Sequence, residues 1–276
     1  MKKIFLPFLF AVVALTLISC STCSDSGFKF SYTSSDEMDV STRDVRGFEK
    51  IEVIGSPTVI YSQADSFSVR VKGPKDLVPN IITEVNGSTL SIRNKGKIGI
   101  VNVDFGRKKG LAVYVTSPDL IGVVLSGSGD FVSEKTVDTD VLNIQLKGSG
   151  DVKFANVVCD RCDAELVGSG DIDIERLDTR ETSATLIGSG DLDIRQMNAA
   201  NTNMQLRGSG DIDVEFISGC GSVSAELQGS GDIRLKGQVK HYEMRKRGSG
   251  DIDSSDLKVG REVLLFFCVF IIIKPK

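Results

Sequence analysis

Aspartates that recur at a fixed interval are the residues of this sequence best suited to do chemistry. The tetrapeptide Gly-Ser-Gly-Asp occurs seven times, and successive copies start 19 to 21 residues apart. Its aspartates are Asp130, Asp151, Asp171, Asp191, Asp211, Asp232 and Asp251. If the copies stack as neighbouring strands, their carboxylates lie about 5 Å apart. They then repel each other by roughly 3 kcal/mol at an effective dielectric constant of about 20.

Three arrangements would offset this repulsion. The carboxylates can accept hydrogen bonds from serine hydroxyls or backbone N–H groups at a bend, they can take up protons, or Ca²⁺ can bind between them. The calcium-binding repeats of other solenoids have a period of about nine residues, which does not match the spacing here. We therefore expect turn chemistry, and a calcium-binding column of these aspartates is the alternative.

Catalysis and nucleic-acid binding fit this composition poorly. Paired carboxylates hydrolyse polysaccharides, but a catalytic pair is a local feature, whereas these aspartates recur in every copy. The single histidine, His241, excludes serine–histidine and multi-histidine metal chemistry within one chain. A net charge of −4 and the lack of tryptophan argue against a surface that binds nucleic acid. We expect no enzyme activity, no firm metal site and no nucleic-acid partner.

Cys159 and Cys162 form a Cys-x-x-Cys pair with two open interpretations. A redox motif would need a βαβ context, and a zinc site would need a second pair nearby; neither is evident. In an oxidising compartment the two thiols could form a disulfide. Otherwise they are two small buried residues.

The repeat itself predicts the elements that position these groups. Apolar residues stand two and four positions before the first glycine and four and six positions after it, as in Ile144, Leu146, Val152 and Phe154. These offsets are even, so one face of an extended chain is apolar and includes both glycines. A further apolar position recurs at Leu177, Met197, Ile217 and Leu257.

This pattern favours an all-β fold, a right-handed parallel β-helix with coils of about 20 residues. Glycine at the bend permits a positive φ and a close approach of backbones. A flat antiparallel sheet is the alternative architecture.

The residues before the repeats predict a section of strands and hairpins. Period-two alternation with β-branched residues marks half-buried strands, as in Phe67–Lys72. Asn86-Gly87 between two such stretches predicts a hairpin with a type I′ turn. One short helical turn is expected within 75–80.

The first nineteen residues have the pattern of a secretory signal peptide: Lys2 and Lys3, an apolar stretch, and a small residue before the cut. Cys20 follows directly, so the segment resembles a bacterial lipoprotein signal, in which that cysteine carries the lipid anchor. The polar residues after it predict a flexible tether. The chain ends in an apolar run within 261–276 that does not continue the repeat. It is either a strand that caps the last coil or the result of a truncated or frame-shifted reading.

Together these features resemble the "putative auto-transporter adhesin, head GIN domain" family of Gram-negative bacteria. The similarity rests on the lipoprotein signal, on Arg46–Val53, on Val69–Pro74, on the Asn86–Ile92 hairpin and on the repeated Leu-x-Gly-Ser-Gly-Asp. It implies a β-helical fold, an envelope location and no established catalytic residues. The predicted organisation is a signal peptide 1–19, a tether 20–45, an N-terminal β section 46–122, β-helix repeats 123–260 and an atypical tail 261–276.

Our leading hypothesis is an exported protein, lipid-anchored through Cys20 at the outer membrane, that acts as an adhesin or binding module. Its partners would be the membrane, through the lipid, and a glycan or another envelope or extracellular protein. The alternatives are a structural protein that assembles end to end and a calcium-loaded solenoid. A basic group at Lys240 and 245–247 is either a solvated edge or a contact for anionic lipid or glycan.

Overall fold

The computed structural model describes residues 37–96 and 110–260. The predicted signal peptide, Cys20 and the apolar tail lie outside the described residues.

Strands make up nearly all the regular structure of this part of the chain, with one 3₁₀ turn at Val78–Asn80. The short helical turn expected within 75–80 is therefore confirmed. The strands of the front section are β1 Met38–Arg43, β2 Lys50–Gly55, β3 Thr58–Gln63, β4 Ser68–Pro74, β5 Ile81–Asn86, β6 Thr89–Asn94 and β7 Ala112–Ser117.

The repeats contribute two strands per coil, one on each side of the Gly-Ser-Gly bend. They are β8 Gly122–Gly127, β9 Asp130–Asp138, β10 Val141–Gly148, β11 Asp151–Val158, β12 Arg161–Gly168, β13 Asp171–Asp178, β14 Glu181–Gly188, β15 Asp191–Met197, β16 Asn201–Gly208, β17 Asp211–Ser218, β18 Ser222–Gly229, β19 Ile233–Val239, β20 His241–Gly248 and β21 Ile252–Val259.

The strands form two sheets that each receive one strand from every coil. The first sheet has the order β1-β4-β7-β3-β9-β11-β13-β15-β17-β19-β21, and the second has the order β20-β18-β16-β14-β12-β10-β8-β2-β6-β5. Within the repeats every pairing is parallel, with a register of one coil. This is a β-solenoid of about seven turns. The parallel β-helix is confirmed, and the flat antiparallel sheet is wrong.

The core lies between the two sheets and consists of stacked equivalent side chains. Leu146, Leu166 and Leu186 pair in register on successive strands of the second sheet, and all three are fully buried. Phe131 and Phe154 continue the core on the first sheet with ring centroids 5.4 Å apart. Each coil packs only against the coils next to it. The apolar side chains of successive coils therefore form one continuous column.

The two glycines of each bend allow the backbones of successive coils to meet. Gly188 has φ +141°, in a region that residues with a Cβ rarely adopt. A Cβ on Gly190 would lie deep inside van der Waals contact with the carbonyl oxygen of Gly170. The same approach lets Ser189 N–H donate to the carbonyl oxygen of Gly168 at 2.9 Å.

The front section is not a separate domain, because two of its strands form the first coil of the solenoid. β2 pairs in parallel with β8 and places Gly55 beside Gly127, while β3 pairs in parallel with β9. Gly55-Ser56 thus begins the stack of bends, although Pro57 stands where the repeats have their second glycine. The solenoid therefore begins within the predicted N-terminal β section 46–122, ahead of the predicted repeats 123–260.

Two further predictions for the front section need correction. Residues 38–43, assigned to the flexible tether, form strand β1, which pairs antiparallel with β4. The hairpin between β5 and β6 is present, but Asn86 pairs with Thr89, so Gly87 and Ser88 form the turn. Positive φ occurs at Gly87 and not at Asn86, as in a type II′ turn.

The side chains at the recurring apolar position predicted at 177, 197, 217 and 257 do not all point into the core. In β13 a bulge separates Leu177 from the rest of the strand's register and turns it inward. β15 keeps its alternation, so Gln196 takes the inward position and is 0 % exposed. In the next coil Phe216 points inward, and Ile217 is 48 % exposed.

Gln196 is satisfied by two threonines of the second sheet. Thr182 Oγ1 donates to Gln196 Oε1 at 2.7 Å, and Gln196 Nε2 donates to Thr202 Oγ1 at 2.6 Å. All three side chains are buried. The network therefore links the three successive strands β14, β15 and β16 across the core.

The close approach at the bends predicts a large effect of one methyl group. Gly190→Ala should lower the free energy of unfolding by about 3 kcal/mol, because the new Cβ has to displace backbone. Ser189→Ala is the matched control in the same bend, where an exposed side chain is removed, and it should change stability by less than about 0.5 kcal/mol. Chemical denaturation monitored by circular dichroism would measure both. Equal midpoints for the two variants would refute the constraint.

The buried network predicts a rescue by further substitution. Gln196→Leu should cost about 1–3 kcal/mol, because Thr182 and Thr202 lose their partner inside the core. Replacing both threonines with valine as well should recover most of that loss, since no polar group then remains unpaired. Melting curves of the single and triple variants decide this. A triple variant less stable than the single variant would contradict the explanation.

Candidate functional site: the outer faces of the two sheets

The repeated aspartates lie at the start of the first-sheet strands and serve the backbone of the next coil. Asp232 N–H donates to Asp211 Oδ1 at 3.0 Å, and Asp251 N–H donates to Asp232 Oδ1 at 2.9 Å. Asp191 N–H makes the same bond to Asp171 Oδ1 at 3.2 Å. These bonds are the turn chemistry expected for the aspartate column.

A second column of acids runs beside the first on the outer face of the first sheet. Asp173, Asp193 and Asp213 pair in register on β13, β15 and β17. The column is closed at one end by Lys153 and at the other by Arg234, which take the equivalent positions on β11 and β19. The middle of this face is therefore acidic.

Arg234 neutralises the end of both columns at once. Its Nη1 lies 3.0 Å from Asp211 Oδ2 and 3.4 Å from Asp213 Oδ2, and its Nη2 lies 3.4 Å from Asp232 Oδ2. One guanidinium with several donors suits three carboxylates in this way. The repulsion between stacked acids is thus offset by backbone donors along one column and by a cation at the end.

Three acids of these columns, Asp173, Asp191 and Asp193, have raised pKa values. Partial desolvation is the main cause of the raised pKa of Asp193, followed by the negative charges of Asp213 and Asp173. Desolvation also raises the pKa of Asp191 and of Asp173, again with a neighbouring acid as the second cause. The acidic face therefore holds its charge at a cost in free energy.

The alternative for the aspartates is a column that binds calcium, and residues 37–96 and 110–260 contain no set of side chains placed to coordinate a metal ion. In those residues no three carboxylate, imidazole or thiol groups gather as a metal ion requires. Asp171, Asp211 and Asp232 instead accept backbone N–H groups.

Cys159 and Cys162 lie on either side of the bend opposite Gly-Ser-Gly. Both are buried free thiols, and Cys159 Sγ lies 3.6 Å from Thr179 Oγ1. The hydrogen bond from Cys162 lowers the pKa of Cys159, while that bond and complete burial raise the pKa of Cys162. The two thiols are close enough to interact, and a disulfide between them in an oxidising compartment stays a prediction.

The outer face of the second sheet has a different chemistry. Its central strands β14, β16 and β18 carry seven neutral polar side chains on one face, which we call the amide patch, and the charged Glu181, Arg207 and Glu226 stand on the same face. Its members are Ser183, Thr185, Asn201, Asn203, Gln205, Ser222 and Ser224. An open groove of about 880 Å³ runs over most of them.

The side chains of the amide patch make no hydrogen bond with any other described residue, unlike several amides elsewhere. Asn156 Nδ2 donates to Thr136 Oγ1 at 2.8 Å, and Asn198 Nδ2 donates to Asp178 Oδ1 at 2.8 Å. Sequence reasoning directed at acids and thiols missed this patch. Its signal is a neutral polar residue five positions before the first glycine in three successive copies, Ser183, Asn203 and Ser224.

The last described coil has a less covered interior than the others. Met244 is 59 % exposed, whereas Ala225, its partner on the preceding strand, is 1 % exposed. Lys246 takes the place of the repeated leucine and pairs with Asp251 at 3.0 Å. A charge that points inward at an edge strand disfavours pairing with another edge.

No helix among the described residues has the length and apolar character needed to cross a membrane. The fold and the two faces define a two-sheet parallel β-solenoid that presents long, repetitive side surfaces. The chain belongs to the family described as "Putative auto-transporter adhesin, head GIN domain", whose model matches residues 47–218. The coils continue beyond that match to residue 259.

Solved structures of similar fold come from Bacteroides and Parabacteroides species. A putative adhesin from Bacteroides fragilis is 25 % identical, with a TM-score of 0.69 over 82 % of this chain and 99 % of that one. A putative lipid binding protein from Parabacteroides distasonis is 22 % identical, with a TM-score of 0.64 over 82 % and 98 % of the two chains. A putative adhesin from Parabacteroides merdae is 16 % identical, with a TM-score of 0.62 over 82 % and 98 %. The comparison with curated proteins gave no match.

These comparisons confirm the family predicted from the sequence. The family and the Bacteroides fragilis structure are described as adhesins and not as enzymes. An adhesin-like family indicates a protein of the cell envelope or an exported protein.

The raised pKa values predict how stability depends on pH. Because the pKa of Asp193 is higher in the folded state than its ordinary value of about 3.9, the folded state binds more protons between those two values. Its contribution to stability therefore falls as pH rises through that interval. Asp193→Asn should reduce the gain in melting temperature as pH is lowered from about 7 to about 4, just above the ordinary value, by a small amount because solvent screens this exposed face.

Asp253→Asn is the control with the opposite sign, because a backbone hydrogen bond from Ser255 lowers the pKa of Asp253. The wild-type carboxylate stabilises the fold above its ordinary pKa, and this is lost as pH falls. Melting temperatures would be measured for both variants and for wild type across this pH range. If each variant differs from wild type by the same amount at every pH, neither carboxylate changes its pKa on folding.

Proposed function

We propose that this protein is exported, held at the outer membrane by a lipid on Cys20, and works as an adhesin or binding module without catalysis. The observation that supports this most directly is the pair of broad side faces, on which chemically related side chains recur from coil to coil. Such a surface suits an extended partner that makes many weak contacts. The groove of about 880 Å³ on the second sheet is open, whereas a site for one small substrate encloses most of its ligand.

The family description and the adhesin from Bacteroides fragilis support the same reading by similarity. The lipid binding described for the relative from Parabacteroides distasonis is consistent with work at a membrane surface. A single lipid chain gives reversible attachment, and a bacterial lipoprotein anchor carries more than one, which favours stable attachment.

The lack of catalysis is inferred from how the acids are used. Asp171, Asp211 and Asp232 accept backbone N–H groups of the next coil, and Arg234 pairs with Asp211, Asp213 and Asp232. A general acid or base needs a group free to reach a substrate. These aspartates instead hold successive coils together.

End-to-end assembly of a structural envelope protein ranks second. The exposure of Met244 and Val259 at the last described coil favours it. The inward charge of Lys246, neutralised by Asp251, argues against direct pairing of two such ends.

The anchor is tested by two neighbouring cysteines. Cys20→Ala should move the protein from the membrane fraction to the soluble fraction of the cell envelope and abolish incorporation of labelled palmitate. Cys23→Ala is the matched control three residues along the chain, and it should leave both unchanged. If Cys20→Ala stays in the membrane fraction with full label, the anchor lies elsewhere.

Protease treatment of intact cells separates adhesion from a role inside the envelope. Loss of the wild-type band while a periplasmic marker survives would place the solenoid outside the cell, as adhesion requires. Complete protection would exclude adhesion to other cells and leave binding within the envelope.

A further inference from the structure

We propose that Cys159 and Cys162 are a modification site: they form a disulfide with each other when the folded chain meets an oxidised thiol, and Cys159 reacts first. The co-reactant is a disulfide, carried by a small thiol such as glutathione or by a thiol oxidase protein. This inference goes beyond the proposed binding function, and only its occurrence in the cell rests on the proposed export.

Both cysteines belong to the bend that closes each coil opposite Gly-Ser-Gly. Cys159 follows β11, and Cys162 is the second residue of β12. The N–H groups of the two residues between them, Asp160 and Arg161, donate to the carbonyl oxygen of Asp140 at 3.0 and 3.2 Å, which fixes the bend against the preceding coil. Both cysteine side chains are buried, at 7 % and 0 % exposure, and their thiols interact directly. The fold therefore holds the two thiols side by side before any bond forms.

The register of the coils shows that this pair is particular to one bend. The equivalents of Cys159 in the next three coils are Thr179, Ala199 and Cys220, and those of Cys162 are Thr182, Thr202 and Val223. Cys220 is also a buried free thiol, but the position across its bend is occupied by Val223. Among the described residues, only the bend of Cys159 brings two thiols together, although threonine and alanine fill the same positions in other coils.

The approach for an oxidant leads to Cys159 and not to Cys162. An open groove of about 390 Å³ runs over this bend, and its lining includes Cys159, Asp160, Thr179 and Arg180. Cys162 does not line the groove and is completely buried. A disulfide that enters the groove therefore meets the sulfur of Cys159 first.

The surroundings of the two thiols favour the same order. The hydrogen bond from Cys162 lowers the pKa of Cys159 by more than burial raises it, with Thr179 Oγ1 3.6 Å from Cys159 Sγ as a further partner. That bond and complete burial raise the pKa of Cys162. Because the thiolate is the form that attacks a disulfide, Cys159 is the nucleophile of the first step.

The reaction is a thiol–disulfide exchange in two steps. The Cys159 thiolate attacks one sulfur of the oxidant, forms a mixed disulfide and releases the other sulfur as a thiolate. The thiol of Cys162 then loses its proton, and its sulfur attacks Cys159 Sγ and releases the remaining oxidant sulfur. The chain loses two protons and two electrons in total, and the oxidant is reduced from a disulfide to two thiols.

Trypsin distinguishes the two states, because Arg161 lies between the cysteines. Cleavage after Lys153, Arg161 and Arg176 gives the peptides 154–161 and 162–176. The full chain would be purified reduced in detergent, treated with oxidised glutathione while folded, alkylated at its remaining thiols, unfolded and digested. We expect most of the chain to yield these two peptides joined, lighter by two hydrogens than their sum, and to yield them separately after reduction.

Two results would overturn the proposal. The peptides 154–161 and 162–176 could stay separate and alkylated after the oxidant, or either could be joined to a peptide that carries another cysteine. Both readings come from the wild-type chain, so they do not depend on whether a variant folds.

Single variants test the order of the two steps. In Cys162→Ser the exchange stops after the first step, so glutathione should remain on Cys159. In Cys159→Ser, glutathione should add to Cys162 at least about tenfold more slowly, because a buried thiol with a raised pKa is seldom a thiolate. Cys220→Ser is the matched control, since it removes a buried thiol from the equivalent bend position, and it should yield the joined peptides as wild type does. Equal rates of addition in the first two variants would refute the order.

The chain taken from cells separates this proposal from the proposed location. Cells would be quenched with acid and their free thiols alkylated before digestion. If the two peptides are joined in the oxidised purified chain but separate in the chain from cells, the thiol pair stands and the proposed export to an oxidising compartment fails. If they are joined in both, both proposals are supported. If they are separate in both, the thiol pair is refuted, and the Cys20 variants still test the anchor.

Discussion

Close contact between the backbones of successive coils at the Gly-Ser-Gly bends is the constraint on which the rest of this structure depends. Strands of one sheet must lie at the normal pairing distance, so the bends that join the two sheets must stack at that distance as well. A Cβ on Gly188 would overlap the carbonyl oxygen of Gly168, and one on Gly190 would overlap that of Gly170. Because glycine has no Cβ, this overlap does not occur. The backbone N–H groups of each bend donate to carbonyl oxygens of the bend in the preceding coil.

Once the bends are stacked, every other position is repeated along the axis. Inward positions accumulate apolar side chains into one core, where a polar residue is tolerated if it is paired within the core. Gln196 is such a case, held by Thr182 and Thr202. Outward positions accumulate like charges, which is unfavourable unless something compensates. The first sheet meets this requirement with backbone donors to the aspartates and with Arg234 at the end of the columns.

The same repetition gives the two faces their separate characters. The first sheet is acidic, and several of its carboxylates accept backbone N–H groups of the next coil or pair with Arg234. The second sheet has at its centre a field of amides and hydroxyls that have no hydrogen-bond partner among the described residues, with Glu181, Arg207 and Glu226 on the same face. A solenoid can present such a field over several strands because residues about twenty positions apart become neighbours. Binding spread over many equivalent contacts follows from this arrangement more naturally than chemistry at one point.

Sequence alone determined the period, the inward face and the family, because each depends on residues close together in the chain. The tetrapeptide recurs at a fixed spacing, and the positions at even offsets from it are apolar. It also predicted that the aspartates would be used in turns. Tertiary structure decided what depends on distant pairing. That Gly55 starts the stack of bends follows from the pairing of β2 with β8. That Gln196 and not Met197 points inward depends on whether a strand contains a bulge, which its composition does not reveal. The amide patch exists because three coils bring their polar residues side by side, and no single stretch of the chain contains it.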